Sequence, residues 1–428
     1  MTKSRFARIV TPTVIISALG YFVDMFDITL FGVVRLGSMM ALGVTSMEDM
    51  ITTGVKLYNY QMGGMLIGGI FWGILGDKKG RHTVLYSSIL MYSVANILNG
   101  FVTEIWQYEA LRLLAGIGLA GELGAAVTLV AESLNKEDRG YATTLIATLG
   151  MMGSLCAALV GKYFAWNHAY IVGGVLGLML LVARFKSFDS EMFKKLKHSN
   201  VKRGNIRLLF KPRRLILYVS AVLVGVPIYF ITAILMTMAP EATSELGLKT
   251  AVTAADALIY GSIGLAVGDL ASGLLSQWLK SRKKAIGFSL VIALLTMFVY
   301  TRSYGATDTF IYGLCFVLGT CAGYWAVLVT TAAEQFGTDI RSTVATTVPN
   351  FVRGSGMIIA TSFLIIKPHH TIINSILIIG GVVFGLAFIA LYFLRETYGR
   401  DLDFLEVTVA ETVEQNSNLS SAEVEPAL

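Results

Sequence analysis

The chain has 428 residues, 55% of them hydrophobic and only 14% charged, with a mean hydropathy of +0.67 and a formal net charge of +6. A water-soluble domain carries roughly 25% charged residues, so most of this surface faces something other than water. Cys156, Cys315 and Cys321 lie in apolar stretches without metal-ligand spacing. With no nucleophile–base pair in view, a metal, a cofactor and enzymatic chemistry are all disfavoured.

The basic segment 1–10 is followed by an apolar run without a small-residue cleavage site, so the first hydrophobic segment is expected to stay in place. Segments long enough to cross about 30 Å of hydrocarbon fall near 10–34, 57–76, 84–102, 106–131, 141–162, 168–185, 214–238, 258–279, 285–303, 309–332, 343–366 and 372–394. We number these spans 1 to 12. An even number puts both termini on one side. With that side inside, 25 Lys and Arg fall at inner ends or loops and six (Arg35, Lys56, Lys162, Lys249, Arg302, Lys367) at outer ends. This bias orients the termini toward the cytoplasm of a cell inner membrane. The positive charge then follows from topology, and no nucleic-acid partner is implied.

Spans 1–6 occupy residues 1–185 and spans 7–12 residues 214–406, separated by a polar stretch, 186–213. Ten bases lie between Lys186 and Arg214, a composition suited to a cytoplasmic linker on an anionic leaflet. The tail 407–428 is rich in Ser, Glu and Asn and is expected to be disordered. Glu132 is followed seven residues later by Arg139, and 202 residues further on Glu334 is followed by Arg341. Because the span starts repeat at similar offsets, the sequence predicts an all-α membrane protein of twelve transmembrane helices in two pseudo-symmetric six-helix halves.

Ionisable residues inside the spans are the candidates for function, because burying them costs several kcal/mol unless they are paired or hydrated. They are Asp24 and Asp27 in span 1, Glu109, Arg112 and Glu122 in span 4, Asp256 and Asp269 in span 8, and Arg353 in span 11. At about 1.5 Å per residue, Asp27 and Arg112 lie at similar depth, so an ion pair is expected. Arg353, near Asn350, binds a substrate carboxylate, pairs with Asp269 or lies against the cytoplasmic interface. The string Gly116-Ile117-Gly118-Leu119-Ala120-Gly121 spells a dinucleotide fingerprint, but it sits inside a span with no strand before it. Its glycines are read as points of close helix approach. At the 202-residue offset Arg112 maps to Leu314 and Glu122 to Tyr324, so charge concentrates in the first half. The second half offers Tyr229, Tyr260, Tyr324 and Trp325 as cavity surface.

The loop Gly76-Asp77-Lys78-Lys79-Gly80-Arg81-His82 resembles the signature loop after the second helix of the major facilitator superfamily. The segment Gly20 to Gly32, with Asp24 and Asp27, is similar to the G-N-F-L-E-W-Y-D-F-A-L-Y-G of its metabolite:proton symporters. Arg112, Gly116 and Gly121-Glu122 match that branch's span 4 pattern, with Ala120 for one glycine. The segments from Ser190 to Lys195 and from Arg395 to Leu402 resemble the strings after helices 6 and 12 of sugar-porter-like members.

The resemblance implies a proton-coupled transporter taking up a small polar organic metabolite (an amino acid, organic acid or nucleoside) by alternating access, acting as a monomer in the lipid bilayer. Asp27, Asp24 or Glu122 would carry the proton, with Arg112 governing proton affinity. Gly76, Asp77, Gly80, Arg81, Glu132, Arg139, Glu334 and Arg341 would form a cytoplasmic gate. An exporter of the same fold and a non-transporting membrane sensor are the alternatives. The absence of proline from Leu149 to Gly161 counts against export.

Overall fold

The computed structural model describes residues 11–79, 81–122, 136–188, 211–336 and 338–399. Among them every regular element is a helix. In chain order these are α1 (Pro12–Ala41), α2 (Met47–Lys79), α3 (Arg81–Asn99), α4 (Ile105–Leu119), α5 (Lys136–Tyr163), α6 (Trp166–Phe188) and α7 (Pro212–Phe230). There follow α8 (Ala239–Glu245), α9 (Ala254–Trp278), α10 (Arg282–Thr301), α11 (Asp308–Ala322), α12 (Trp325–Glu334), α13 (Thr338–Ile366) and α14 (Ile372–Phe393). Eight helical stretches are long and apolar enough to cross a membrane by composition alone. The other four expected spans correspond to α2 to α5; α4 has 15 described residues, and α2, α3 and α4 carry polar residues such as Gln61, Asn96, Glu109 and Arg112. Side chains such as Leu274, Ile358 and Met179 are more than half exposed on the outer surface. In water they would be a liability; in hydrocarbon they are the expected coat.

Local signals set the helix starts. Thr11 accepts from the Val14 amide ahead of Pro12 at the first turn, and Thr253, Ser281, Thr307 and Thr371 cap α9, α10, α11 and α14 in the same way. Among the described residues spans 4, 7 and 10 are not continuous α-helices, and span 4 turns at Ala120-Gly121 directly after α4. Span 7 carries Pro227 inside α7, and the helix widens into a π-turn, Ile231–Met236, before α8. Span 10 breaks at Gly323-Tyr324 between α11 and α12. Interrupted helices inside a membrane are tolerated where other groups take up the freed backbone. Here Asp269 accepts from the Ala326 amide at 3.2 Å, and Ser272 Oγ donates to Gly323 O at 2.7 Å.

The two sets of six helices each pack around a seam of glycines in the same register. A Cβ on Gly64 would collide with Leu113 O and one on Gly116 with Gln61 O, so α2 and α4 touch backbone to backbone. In the second set a Cβ on Gly264 would collide with Phe316 O and one on Gly319 with Gly261 O, joining α9 to α11. Between the sets, α2 packs against α13 and α5 against α9. Asn59 Nδ2 donates to Thr361 Oγ1 at 2.8 Å across the first of these contacts.

Candidate functional site

Between the two sets lies a cavity enclosing about 1090 Å³ of non-protein space including its mouth, enough for a small metabolite. One face of α1 lines it: Tyr21, Met25, Ile28, Gly32 and Arg35 follow steps of three and four residues. Facing them are Tyr229, Thr232 and Thr237 from span 7, Ser262 and Leu265 from α9, and Trp325 at the start of α12. The interruptions of spans 7 and 10 therefore sit on the cavity wall, where a broken backbone is most readily satisfied or moved. Tyr229 and Trp325 meet edge to face, ring centroids 6.3 Å apart.

Two ion pairs connect the helix sets at different depths. Arg353 Nη2 donates to Asp24 Oδ2 at 2.6 Å, and both residues are fully buried. Nearer the C-terminal end of α1 Arg35 Nη2 donates to Glu241 Oε1 and, at 3.4 Å, to Thr237 O. Asp24 and Arg35 are eleven residues apart, three helical turns and about 16 Å along one side of α1. Tyr21 and Met25, which flank Asp24, line the cavity as Arg35 does. The helix sets are further bridged by Lys162 and Asp256 between α5 and α9.

The remaining buried charges separate into satisfied and unsatisfied groups. Arg184 grips Glu122 with both Nη atoms, a closed pair under Gly20, where a Cβ would strike both side chains. Arg112 does not pair with Asp27 as expected. Its Nη2 donates to Gln61 Oε1, its Nη1 to Tyr170 Oη at 3.4 Å, and its guanidinium lies 4.2 Å from the Phe31 ring centroid. Two neutral acceptors and an aromatic face engage this planar fork, while its Nε is buried without a partner. Tyr170 continues the chain to Tyr108 at 2.6 Å and thence to Ser38. Asp27, 2% exposed, is left with neither carboxylate oxygen hydrogen-bonded. Asp24, Arg112 and Asn96 are its polar surroundings.

Of the expected cavity residues, Tyr229 and Trp325 line the space. Arg353 is engaged by Asp24, not by Asp269, and is not among the lining residues. Asn350 donates to Ala120 O at 3.1 Å and packs on Gly69, so it ties α13 to the first helix set. Tyr260 is 43% exposed and stacks on Tyr312, turned away from the cavity. The hydroxyl of Tyr324 donates to Val224 O at 2.8 Å, which locks the break in span 10 to α7. Sequence reasoning counted Arg35 only as an outer-end base and did not single out Glu241. The available signal was the eleven-residue step from Asp24, which returns to the same side of the helix.

Of the cytoplasmic gate, Glu334 receives two hydrogen bonds from Arg282, at 2.7 and 2.9 Å. The side chains of Gly76, Asp77, Gly80, Arg81, Glu132, Arg139 and Arg341 lie outside the described residues, as do most of the linker and the tail. Among the described residues no group of three or more His, Cys, Asp or Glu is placed to hold a metal.

Comparison with known proteins places this geometry. The family model "Major Facilitator Superfamily" matches residues 17–361. The chain is 26% identical over 398 residues to a probable 4-methylmuconolactone transporter of Cupriavidus pinatubonensis, covering 89% of each. It is 33% identical over 176 residues to the niacin transporter NiaP of Acinetobacter baylyi, a match spanning 37% of this chain and 40% of that protein. Among solved structures it is similar to the transporter FucP in the outward conformation, with a TM-score of 0.64 and 14% identity, over 91% of this chain and all of that one. The fold, the paired helix sets and the family model agree: the chain is a multi-pass membrane transporter belonging to the Major Facilitator Superfamily.

Proposed function

We propose that this protein carries a small organic acid into the cell together with protons, by rocking its halves, residues 1–185 and 214–406, about the central cavity. One observation carries the coupling. Asp27 is buried midway along α1 with both oxygens unpaired. A charge at a helix centre costs about 3 kcal/mol on insertion scales and more when nothing pairs with it. A proton taken up there removes that cost, and its release requires that the site meet water. Proton loading is thus tied to the side toward which the cavity opens. Asp24 and Glu122 are weaker candidates, since each has a guanidinium partner.

The substrate class rests on the cavity's charge. Its described lining includes one cation, Arg35, and no carboxylate, beside aromatic, Met and hydroxyl groups. Such a site favours an anion with an apolar body. The compounds named for two relatives, niacin and 4-methylmuconolactone, are small organic acids. In this reading Arg35–Glu241 closes the outer end, and Asp24–Arg353 joins the halves at nearly the depth of Asp27. The protein works as a monomer in the inner membrane with both termini in the cytoplasm, and the lack of proline from Leu149 to Gly161 favours uptake.

Reconstituted vesicles with an inward proton gradient test the coupling. Wild type accumulates an organic acid above equilibrium. Asp27→Asn is expected to lose gradient-driven accumulation while retaining exchange of labelled for unlabelled solute. Undiminished accumulation by Asp27→Asn would remove Asp27 from the mechanism.

A further inference from the structure

We infer that Arg35 is the binding site for the substrate's carboxylate, and that Glu241 is an internal stand-in for that carboxylate. The inference rests on the organic-acid reading above and assigns its recognition step to a residue. Arg35 is the one charged residue in the described cavity lining, and it is 3% exposed. Both hydrogen bonds it makes among the described residues run through Nη2, to Glu241 and to Thr237 O, while Nε is buried and unpaired. Glu241 likewise uses only Oε1; its Oε2 is buried without a partner.

A guanidinium and a carboxylate normally satisfy each other through two parallel bonds. This pair holds one, so part of the fork stays available. Space has been left for it: a Cβ on Gly54 would lie 3.0 Å from Arg35 Cδ and 3.1 Å from Nη1, which is too tight. Any side chain at 54 would press on the guanidinium.

The consequence is an exchange of anions at one cation. When Glu241 holds Arg35, α1 and α8 are clamped and the outer end is shut. A substrate carboxylate arriving at Arg35 replaces Glu241, which swings into the water of the opened mouth. Return of Glu241 then displaces the carboxylate toward Tyr21, Tyr229 and Trp325 deeper in the cavity. Charge is conserved throughout, because Arg35 always faces one anion. Neutral analogues lack the group that competes with Glu241, so discrimination of acid from amide originates at this pair.

Binding to purified full-length protein tests the assignment, with nicotinate, benzoate and lactate each measured against its amide. Wild type is expected to prefer at least one acid over its amide. Arg35→Gln should weaken that acid by at least about tenfold and erase the preference, whereas Glu241→Gln, which removes the competitor, should tighten it by about tenfold. If Arg35→Gln does not fold, Glu241→Gln decides alone. An intact acid preference in Arg35→Gln, or unchanged or weaker acid binding in Glu241→Gln, overturns the inference and leaves the organic-acid reading standing. Failure of wild type to bind any of the three acids overturns both.

Discussion

The two six-helix sets share a frame and differ in what fills it. In each, a pair of glycine positions lets the second and fourth helices touch through their backbones, Gly64 and Gly116 in one, Gly264 and Gly319 in the other. Around the first seam the fill is polar. Arg112, Gln61, Tyr170, Tyr108 and Ser38 form one hydrogen-bonded chain, Glu122 is held by Arg184, and Asp27 stands alone. Around the second, Leu314 replaces the arginine at the 202-residue offset and Tyr324 replaces the glutamate, at a break where Asp269 receives the Ala326 amide. Backbone approach restricts a position to glycine whatever the chemistry beside it. The polar fill has no such constraint, and it is there that the halves differ: buried charge around the first seam, aromatic surface around the second.

The comparison predicts equal sensitivity where the halves agree. Gly116→Leu and Gly319→Leu each drive a side chain into a facing carbonyl and should destabilise by about 3 kcal/mol or prevent folding. Thermal unfolding in detergent reads this, and a tolerated leucine at either site would show that its seam is looser than its counterpart. Where the halves differ, the acids should separate. Asp269→Ala removes a helix cap and should cost about 1 kcal/mol of stability while leaving proton-driven accumulation intact, the reverse of Asp27→Asn. Loss of coupling in Asp269→Ala would place proton handling in both halves.

Tyr324→Phe deletes one buried hydrogen bond to Val224 O and should cost about 1 kcal/mol. A larger loss, with altered transport, would mean that the break in span 10 depends on that hydroxyl.

The smallest effect is expected where the chain leaves α14, beside the start of α10. Burial alone would raise the pKa of Glu396, but hydrogen bonds from Ser281 Oγ and the amides of Arg282, Tyr398 and Lys283 draw it from 4.5 down to about 2. A lowered pKa in the folded state stabilises fully above about pH 4.5, and the contribution fades as pH falls toward 2. Glu396→Gln should therefore melt below wild type at pH 7, and the gap should narrow by pH 3. A gap independent of pH would assign the residue a packing role instead.

Particular residues show how much could be read in advance. The all-helical fold with its spans followed from hydropathy, the Lys and Arg asymmetry and the 202-residue recurrence, and the family from the resemblance of the loop at 76–82 and of the segment Gly20 to Gly32. The breaks did not. Gly323 reads like any glycine in an apolar run, and only its fit against Gly268 and Asp269 marks it as a junction. Pairing was the least legible. Depth matched Asp27 to Arg112, yet Gln61, Tyr170 and Phe31 occupy the guanidinium, and Arg353 found Asp24 across the interface.

Sequence alone determined that this chain lives in a bilayer, how many times it crosses and which of its charges are expensive, because transfer from water to hydrocarbon acts residue by residue. Tertiary structure decided which charge meets which, which acid is left without a partner and which cation faces the cavity. Those depend on rotation of each helix about its axis and on fork geometry at a few ångströms. Helices distant in sequence set both, and a local pattern such as the eleven-residue step from Asp24 to Arg35 gives only the shared side of one helix.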